Sequence, residues 1–348
     1  MLHLNSLRGI AALLVVFYHI KHLLVELVPP TINSVLSQSY LAVDFFFVLS
    51  GYILTWKYLQ EVKSKPFIEF TILFIKKRLI RIYPLHFLLL IAYITIPMAL
   101  FVTGRLITER YTFEMFVPHI FLIQSWGLFN TVGWNIPSWS ISTEFLAYIS
   151  FPFVCFIIIR ISQTAATILL LMFSVIMITM FTYYSASNIG EYISSLGWLR
   201  CLAGFYVGFF VHLIMSKKQY VQLIFIVISG LFITYAILNN LNNYFYINLL
   251  FAVSLFFIIK YSSFFQIILV NKPLLFLGNI SYSLYLVHYF VRDILTMLLL
   301  KNGELASGSW LVYYLALTLL ISVLTYRLIE VKLKDKLTSK LIYKHKTP

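Results

Sequence analysis

Charge is scarce in this chain. Only 11% of its 348 residues are Asp, Glu, Lys or Arg, whereas a soluble domain carries roughly a quarter. There is ample apolar material and too little polar surface to coat it, which excludes a water-soluble globular domain. Acidic residues are scarcest: 12 Asp and Glu stand against 26 Lys and Arg, a formal charge of +14. That excess does not point to nucleic acid as a partner. The basic residues fall in short clusters between apolar runs, as they do when they fix orientation in a membrane. Cysteine is nearly absent. Cys155 and Cys201 each sit inside an apolar stretch, with no CxxC and no Cys/His cluster, so neither structural zinc, a disulfide scaffold nor any other metal site is expected. Both read as small packing residues.

What the chain has is apolar length: 61% hydrophobic and 18% aromatic residues. A spanning helix needs about 20 mostly apolar residues. That template predicts an all-α, polytopic integral membrane protein of about ten spans, near 7–28, 40–60, 79–101, 138–160, 165–184, 196–215, 220–239, 244–260, 275–300 and 309–330. A further stretch near 113–130 is interrupted by Pro118, Gln124 and Gly127 and reads as re-entrant or interfacial. The first apolar run holds Arg8 and His19 and lacks a small-residue cleavage pattern, so it reads as a retained span and not a leader. With both termini cytoplasmic, 20 of the 26 basic residues fall inside and only Lys21, Arg105, Arg110, Arg200, Arg292 and Lys301 outside. Counting 113–130 as a full span would reverse the Lys-rich tail, against the positive-inside tendency. The domain reading is therefore one membrane unit, 1–330, and a basic cytoplasmic tail, 331–348, facing lipid headgroups. No strong internal repeat relates the two halves.

Ionisable residues within spans are costly and usually functional. Arg8 and His19 are eleven residues apart, almost three helical turns. Their side chains therefore share one face, about 16 Å apart along the axis. Asp44 and Glu144 enter their spans from the outer side, and His288 lies midway along the ninth, followed by Arg292 and Asp293. The topology thus layers His19, Asp44, Glu144 and His288 in the middle to outer part, with Arg8, Arg78 and Arg81 at the inner rim. Arginine grips phosphates with a rigid bidentate fork, and a mid-membrane His near a carboxylate suits general-base work on a hydroxyl. Each feature also has a structural reading. Arg78 and Arg81 follow Lys76 and Lys77 and serve equally as topology signals. Glu144 could pair with a cation, His288 could be a packing residue, and Ser50-Gly51 permits close helix packing.

Taken in order, LNSLRGIAALLVVFYH, VDFFFVLSGYIL, RLIRIYP, PSWSISTEFLAYISFP, GNISYSLYLVHYFV and YRLIE resemble the membrane acyltransferase-3 family, acyl-CoA-dependent O-acyltransferases of surface polysaccharides. The resemblance covers almost the whole chain. It implies a cytoplasmic acetyl-CoA donor, no metal, and an acceptor hydroxyl on a glycan or lipid-linked glycan such as O-antigen, capsule or exopolysaccharide. It implies a multi-pass protein of the inner membrane working beside polysaccharide-assembly proteins. By this resemblance His19 is catalytic, and Arg8, Arg78 and Arg81 belong to functional motifs. Trp139, Ser140, Ser142 and Glu144 form the WS-x-S-x-E signature. The resulting expectation is that the arginines hold the CoA phosphates, His19 is the general base or is itself transiently acylated, and Glu144 orients it or positions the sugar. Asp44, Trp139, Ser142, Tyr282 and His288 are candidate substrate contacts, and Ser142, Trp139 and Tyr282 candidate oxyanion donors. The family often has Pro shortly after the final Glu, whereas Val331-Lys332 follow Glu330 here, so Glu330 is not carried over as a site residue. No extracytoplasmic hydrolase-like domain, present in some members, is expected. The rival reading is a proton-coupled transporter or glycan flippase using the same intramembrane charges; a third is a CoA-binding subunit that relays acyl groups to a partner enzyme.

Overall fold

A computed structural model describes residues 1–161, 163–300 and 304–344. The described residues are helical, with no strand. In chain order the helices are α1 (Leu2–Ile20), α2 (Pro30–Gln38), α3 (Ala42–Ser64), α4 (Phe67–Tyr93), α5 (Thr95–Val102), α6 (Phe113–Phe121), α7 (Trp139–Ile158) and α8 (Gln163–Tyr183). They continue with α9 (Gly197–Met215), α10 (Gln219–Leu238), α11 (Ile247–Lys260), α12 (Ser262–Leu269), α13 (Lys272–Leu299), α14 (Gly308–Thr325) and α15 (Lys334–Lys344). Among the described residues eight helical stretches are long and apolar enough to cross a membrane, nine if α11 and α12, bent by 93°, count as one broken span. The span expected at 165–184 coincides with the backbone of α8, about half of whose side chains lie outside the described residues. The stretch at 113–130 is not a span: the nine-residue α6 ends at Leu122, whose φ is +57°, and the chain turns back.

Local chemistry sets the elements that bear the site. Asn271 accepts the Leu274 N–H and Pro273 occupies the first turn of α13, while Ser307 accepts the Trp310 N–H at the start of α14. Both are side-chain caps on N–H groups that a helix start leaves unpaired. The last span does not end cleanly. From Tyr326 to Leu333 the backbone opens into a π-helix before tightening again into α15, which packs on α4. The basic tail therefore starts as a continuation of the bundle.

Two helix pairs dominate the packing, α1 along α13 and α3 along α9. Small residues make both possible. A Cβ on Gly51 would overlap the carbonyl of Phe205, and one on Gly208 the carbonyl of Val48. In lipid, where burying apolar side chains gives helices little reason to associate, backbone proximity of this kind supplies the contact. A bidentate ion pair, Arg200 to Asp44, lies beside the α3–α9 crossing.

Candidate active site

Arg8 stands at the junction of two cavities. The first, of about 180 Å³, is lined by Asn5, Arg8, Arg81, Asn279, Ser281, Tyr282, Tyr326, Glu330 and Lys334. Three cations thus face one carboxylate. That carboxylate is fixed: Glu330 Oε1 accepts the Ser283 N–H at 3.0 Å and the Ser283 hydroxyl at 2.5 Å. The π-helical segment is what carries Glu330, and wide turns of this kind recur at functional sites. Asn5 Nδ2 donates to Asn279 Oδ1 at 2.8 Å and closes the wall. Arg8 makes no hydrogen bond or ion pair with the described residues and is only half-buried. It is available to a ligand.

The second cavity, narrower at about 60 Å³, runs from Arg8 between Val43, Phe46, Phe47 and Ser50 of α3, Ser140, Ile141 and Glu144 of α7, and Ser281, Tyr282 and Tyr285 of α13. Glu144 accepts the Ser50 hydroxyl at 2.8 Å. At the far end the Tyr285 hydroxyl meets Ser140 Oγ at 2.7 Å. One turn further along α13 lies His288, its ring centre 6.1 Å from that of Tyr285. His288 in turn faces His19, with ring centres 5.2 Å apart. Ring contacts thus connect Tyr285, which lines this cavity, to His288 and on to His19.

His19 itself is half-buried, and its ring touches Tyr18, His288 and Tyr289. Above it Arg292 donates to the His19 carbonyl at 3.3 Å and lies 3.6 Å from the Tyr289 ring centre. Asp293 joins Arg292 to Arg110, accepting from both at 2.6 and 2.7 Å.

The structure sorts the residues singled out in the sequence. Arg8, Arg81, Glu144 and Tyr282 line the cavities, and His19 and His288 meet beyond them. Glu144 is on the Arg8 side, bonded to Ser50, and His19 does not line that cavity. Arg78 is apart from Arg81. Its guanidinium lies among Tyr58, Phe74 and Tyr148, 5.5 to 5.9 Å from their ring centres, and donates to the Tyr58 hydroxyl. Asp44 is fully buried and bound by both arms of Arg200, and Trp139 lies against the same guanidinium, 5.0 Å from its ring centre. The Ser142 hydroxyl donates to Leu122 O and accepts the Ser125 N–H, which pins the returning segment. The Tyr282 hydroxyl is committed to Ile82 O. Glu330, Ser283, Ser50 and Lys334 join the site as well. Glu330 lies in the YRLIE match, Ser50 in VDFFFVLSGYIL and Ser283 in GNISYSLYLVHYFV; helix crossings bring them and Lys334 together. No cluster of three or more metal-ligating side chains occurs among the described residues.

A family model described as an acyltransferase domain, that of acyltransferase-3, matches residues 2–327. The chain belongs to this family. It is 27% identical over 367 aligned positions to the O-acetyltransferase OatA of Staphylococcus aureus, covering 96% of this chain and 57% of that protein. It is 31% identical over 155 positions to the acyltransferase MdmB of Streptomyces mycarofaciens, covering 43% of this chain and 38% of the relative. It is 36% identical over 104 positions to protein 2 in the picA locus of Rhizobium radiobacter, covering 29% of this chain and 48% of the relative. The chain thus spans little more than half of OatA's length and less of the other two. No solved structure matches.

Proposed function

We propose that this chain is an integral membrane O-acyltransferase that moves an acetyl or other small acyl group from cytoplasmic acyl-CoA to a hydroxyl of a surface glycan. The family and the relatives named acyltransferase and O-acetyltransferase support the reaction class. The observation that carries the rest is the position of Arg8, without a hydrogen-bond or ion-pair partner among the described residues, between a cationic cavity and a narrow one whose Tyr285 contacts His288, itself in contact with His19.

The phosphates of the donor bind Arg8, Arg81 and Lys334 in the wider cavity, where charge-assisted bonds are strongest. The slender thiol-bearing arm follows the passage past Glu144 and Ser50, polar groups suited to its amides. The thioester then lies near His19. An acceptor hydroxyl arrives from the opposite end, and His19 takes its proton as the oxygen attacks the thioester carbonyl. The C–S bond breaks, and the proton on His19 passes to the departing thiolate. The products are the ester and free CoA. In this reading Arg78 braces α4 against α3 and α7 through its aromatic surroundings, and the Asp44–Arg200 pair braces α3 against α9. The termini face the cytoplasm, and the cationic cavity opens towards the donor.

The test is transfer without compartments. Protein purified in detergent should move labelled acetyl from acetyl-CoA to a glycan hydroxyl, and His19→Ala should abolish it while the protein stays monodisperse. A transporter or flippase, which acts only across a closed membrane, would show no such transfer. Undiminished turnover in the His19 variant would remove the base assignment.

A further inference from the structure

If His19 is the base, something must hold its ring in the productive orientation, and Glu144 does not. It is bonded to Ser50 and lines a cavity that His19 does not reach. The ring neighbours of His19 are Tyr18, Tyr289 and His288. The two tyrosines meet it edge-on, at 74° and 86°, as packing surfaces. His288 differs. It has no exposed surface, and its Nδ1 lies 3.1 Å from the carbonyl of Leu284 one turn earlier. A carbonyl only accepts, so Nδ1 bears the hydrogen, and the neutral ring then presents a bare lone pair at Nε2. That Nε2 is buried without any hydrogen-bond partner. Leaving a buried acceptor empty costs stability, a cost tolerated where the atom has a task.

We propose that His288 is the positioning residue of the reaction, accepting a ring N–H of His19 at its Nε2. This rests on His19 being the base. The Leu284 carbonyl fixes the His288 tautomer, and His288 fixes that of His19, so that the second nitrogen of His19 presents its lone pair to the acceptor hydroxyl. A small rotation of the His19 side chain across the 5.2 Å between ring centres makes the bond. A neutral imidazole thus does here what a carboxylate does in the usual base–orienter pair. The difference has an electrostatic reason. The carboxylate near the pair, Asp293, is engaged by Arg292 and Arg110, and Arg292 also donates to the His19 carbonyl, so that carboxylate is committed elsewhere.

The experiment compares two replacements of His288 in purified protein. Gln puts an acceptor where Nε2 stands and Asn a donor where Nδ1 stands. The expected result is a fall in kcat on the order of 10- to 100-fold for His288→Asn, the scale of a misaligned catalytic group, with the KM for acetyl-CoA unchanged. His288→Gln should recover most of that loss. The opposite order, Asn above Gln, would show that only the Leu284 bond matters and would overturn the proposal. So would full activity in both variants. Either failure is separate from that of the base assignment, because His19→Ala measured alongside reports on the latter: dead His19→Ala with an active His288→Asn removes the positioning role alone.

Discussion

Arg200 reaches Asp44 through two parallel hydrogen bonds, 2.8 Å from Nε and 2.6 Å from Nη2, and both side chains are almost completely buried. The pair joins α3 to α9 beside the place where the two backbones touch. Removing one member strands the other as an uncompensated charge in the interior, which costs about 3–5 kcal/mol, whereas replacing both with apolar groups of similar volume is often neutral. Asp44→Leu and Arg200→Met should each lower the unfolding temperature in detergent sharply. The double variant should regain most of the loss. Equal and additive effects in a thermal-unfolding cycle would mean that the two side chains act independently.

The arginines should separate kinetically. Arg8→Ala and Arg81→Ala remove cations from the wide cavity and should each raise the KM for acetyl-CoA about 10- to 100-fold, the equivalent of one charge-assisted bond, with unfolding temperature unchanged. Arg78→Ala should instead loosen the fold, since its guanidinium is held among Tyr58, Phe74 and Tyr148. Steady-state kinetics and thermal unfolding on the three variants check this.

Backbone contact between α3 and α9 leaves no room for a methyl group. Gly208→Ala should destabilise the protein by about 3 kcal/mol, the upper part of the range for overpacking, because the atoms in the way belong to the Val48 and Tyr52 backbone and not to a flexible side chain. A control at Gly230, where an added Cβ would meet nothing within 4 Å, should be neutral or slightly stabilising. Denaturation curves in detergent decide it.

Ser142→Ala should act on the return segment. It deprives Leu122 O and the Ser125 N–H of their partner, at about 1–3 kcal/mol for buried backbone groups left unmade. Limited proteolysis between residues 121 and 135 should accelerate, with donor KM unchanged.

The bundle was legible in the sequence because its cause is local: a helix long enough to span lipid is written as a run of apolar residues. That 113–130 is not a full span was legible from Pro118, Gln124 and Gly127, although Pro118 lies within α6 and the helix ends at Leu122. That Arg8 and His19 share one face followed from eleven residues at helical pitch; which helix that face meets did not. What could not be read was which helices cross. Nothing in VDFFFVLSGYIL says that Asp44 belongs to Arg200, 156 residues away, or that Ser50 belongs to Glu144. Nor does the sequence show that Arg78 and Arg81 part: one helical turn separates them, but Tyr58 and Tyr148, contributed by α3 and α7, surround only the first. Glu330 was visible in YRLIE but was set aside for want of a following Pro, and its placement in the cavity depends on a departure from regular helix geometry.

That departure has a further effect. The widened turn between Tyr326 and Leu333 sets the angular phase between the end of α14 and the start of α15, so Glu330 and Lys334 point into the same cavity although they belong to different helical regimes. In an ordinary helix one residue more or less rotates everything beyond it by about 100°. A single-residue deletion here would leave the membrane-crossing part of α14 untouched and swing the lysine off the donor's path, which makes this short stretch a dial for nucleotide affinity.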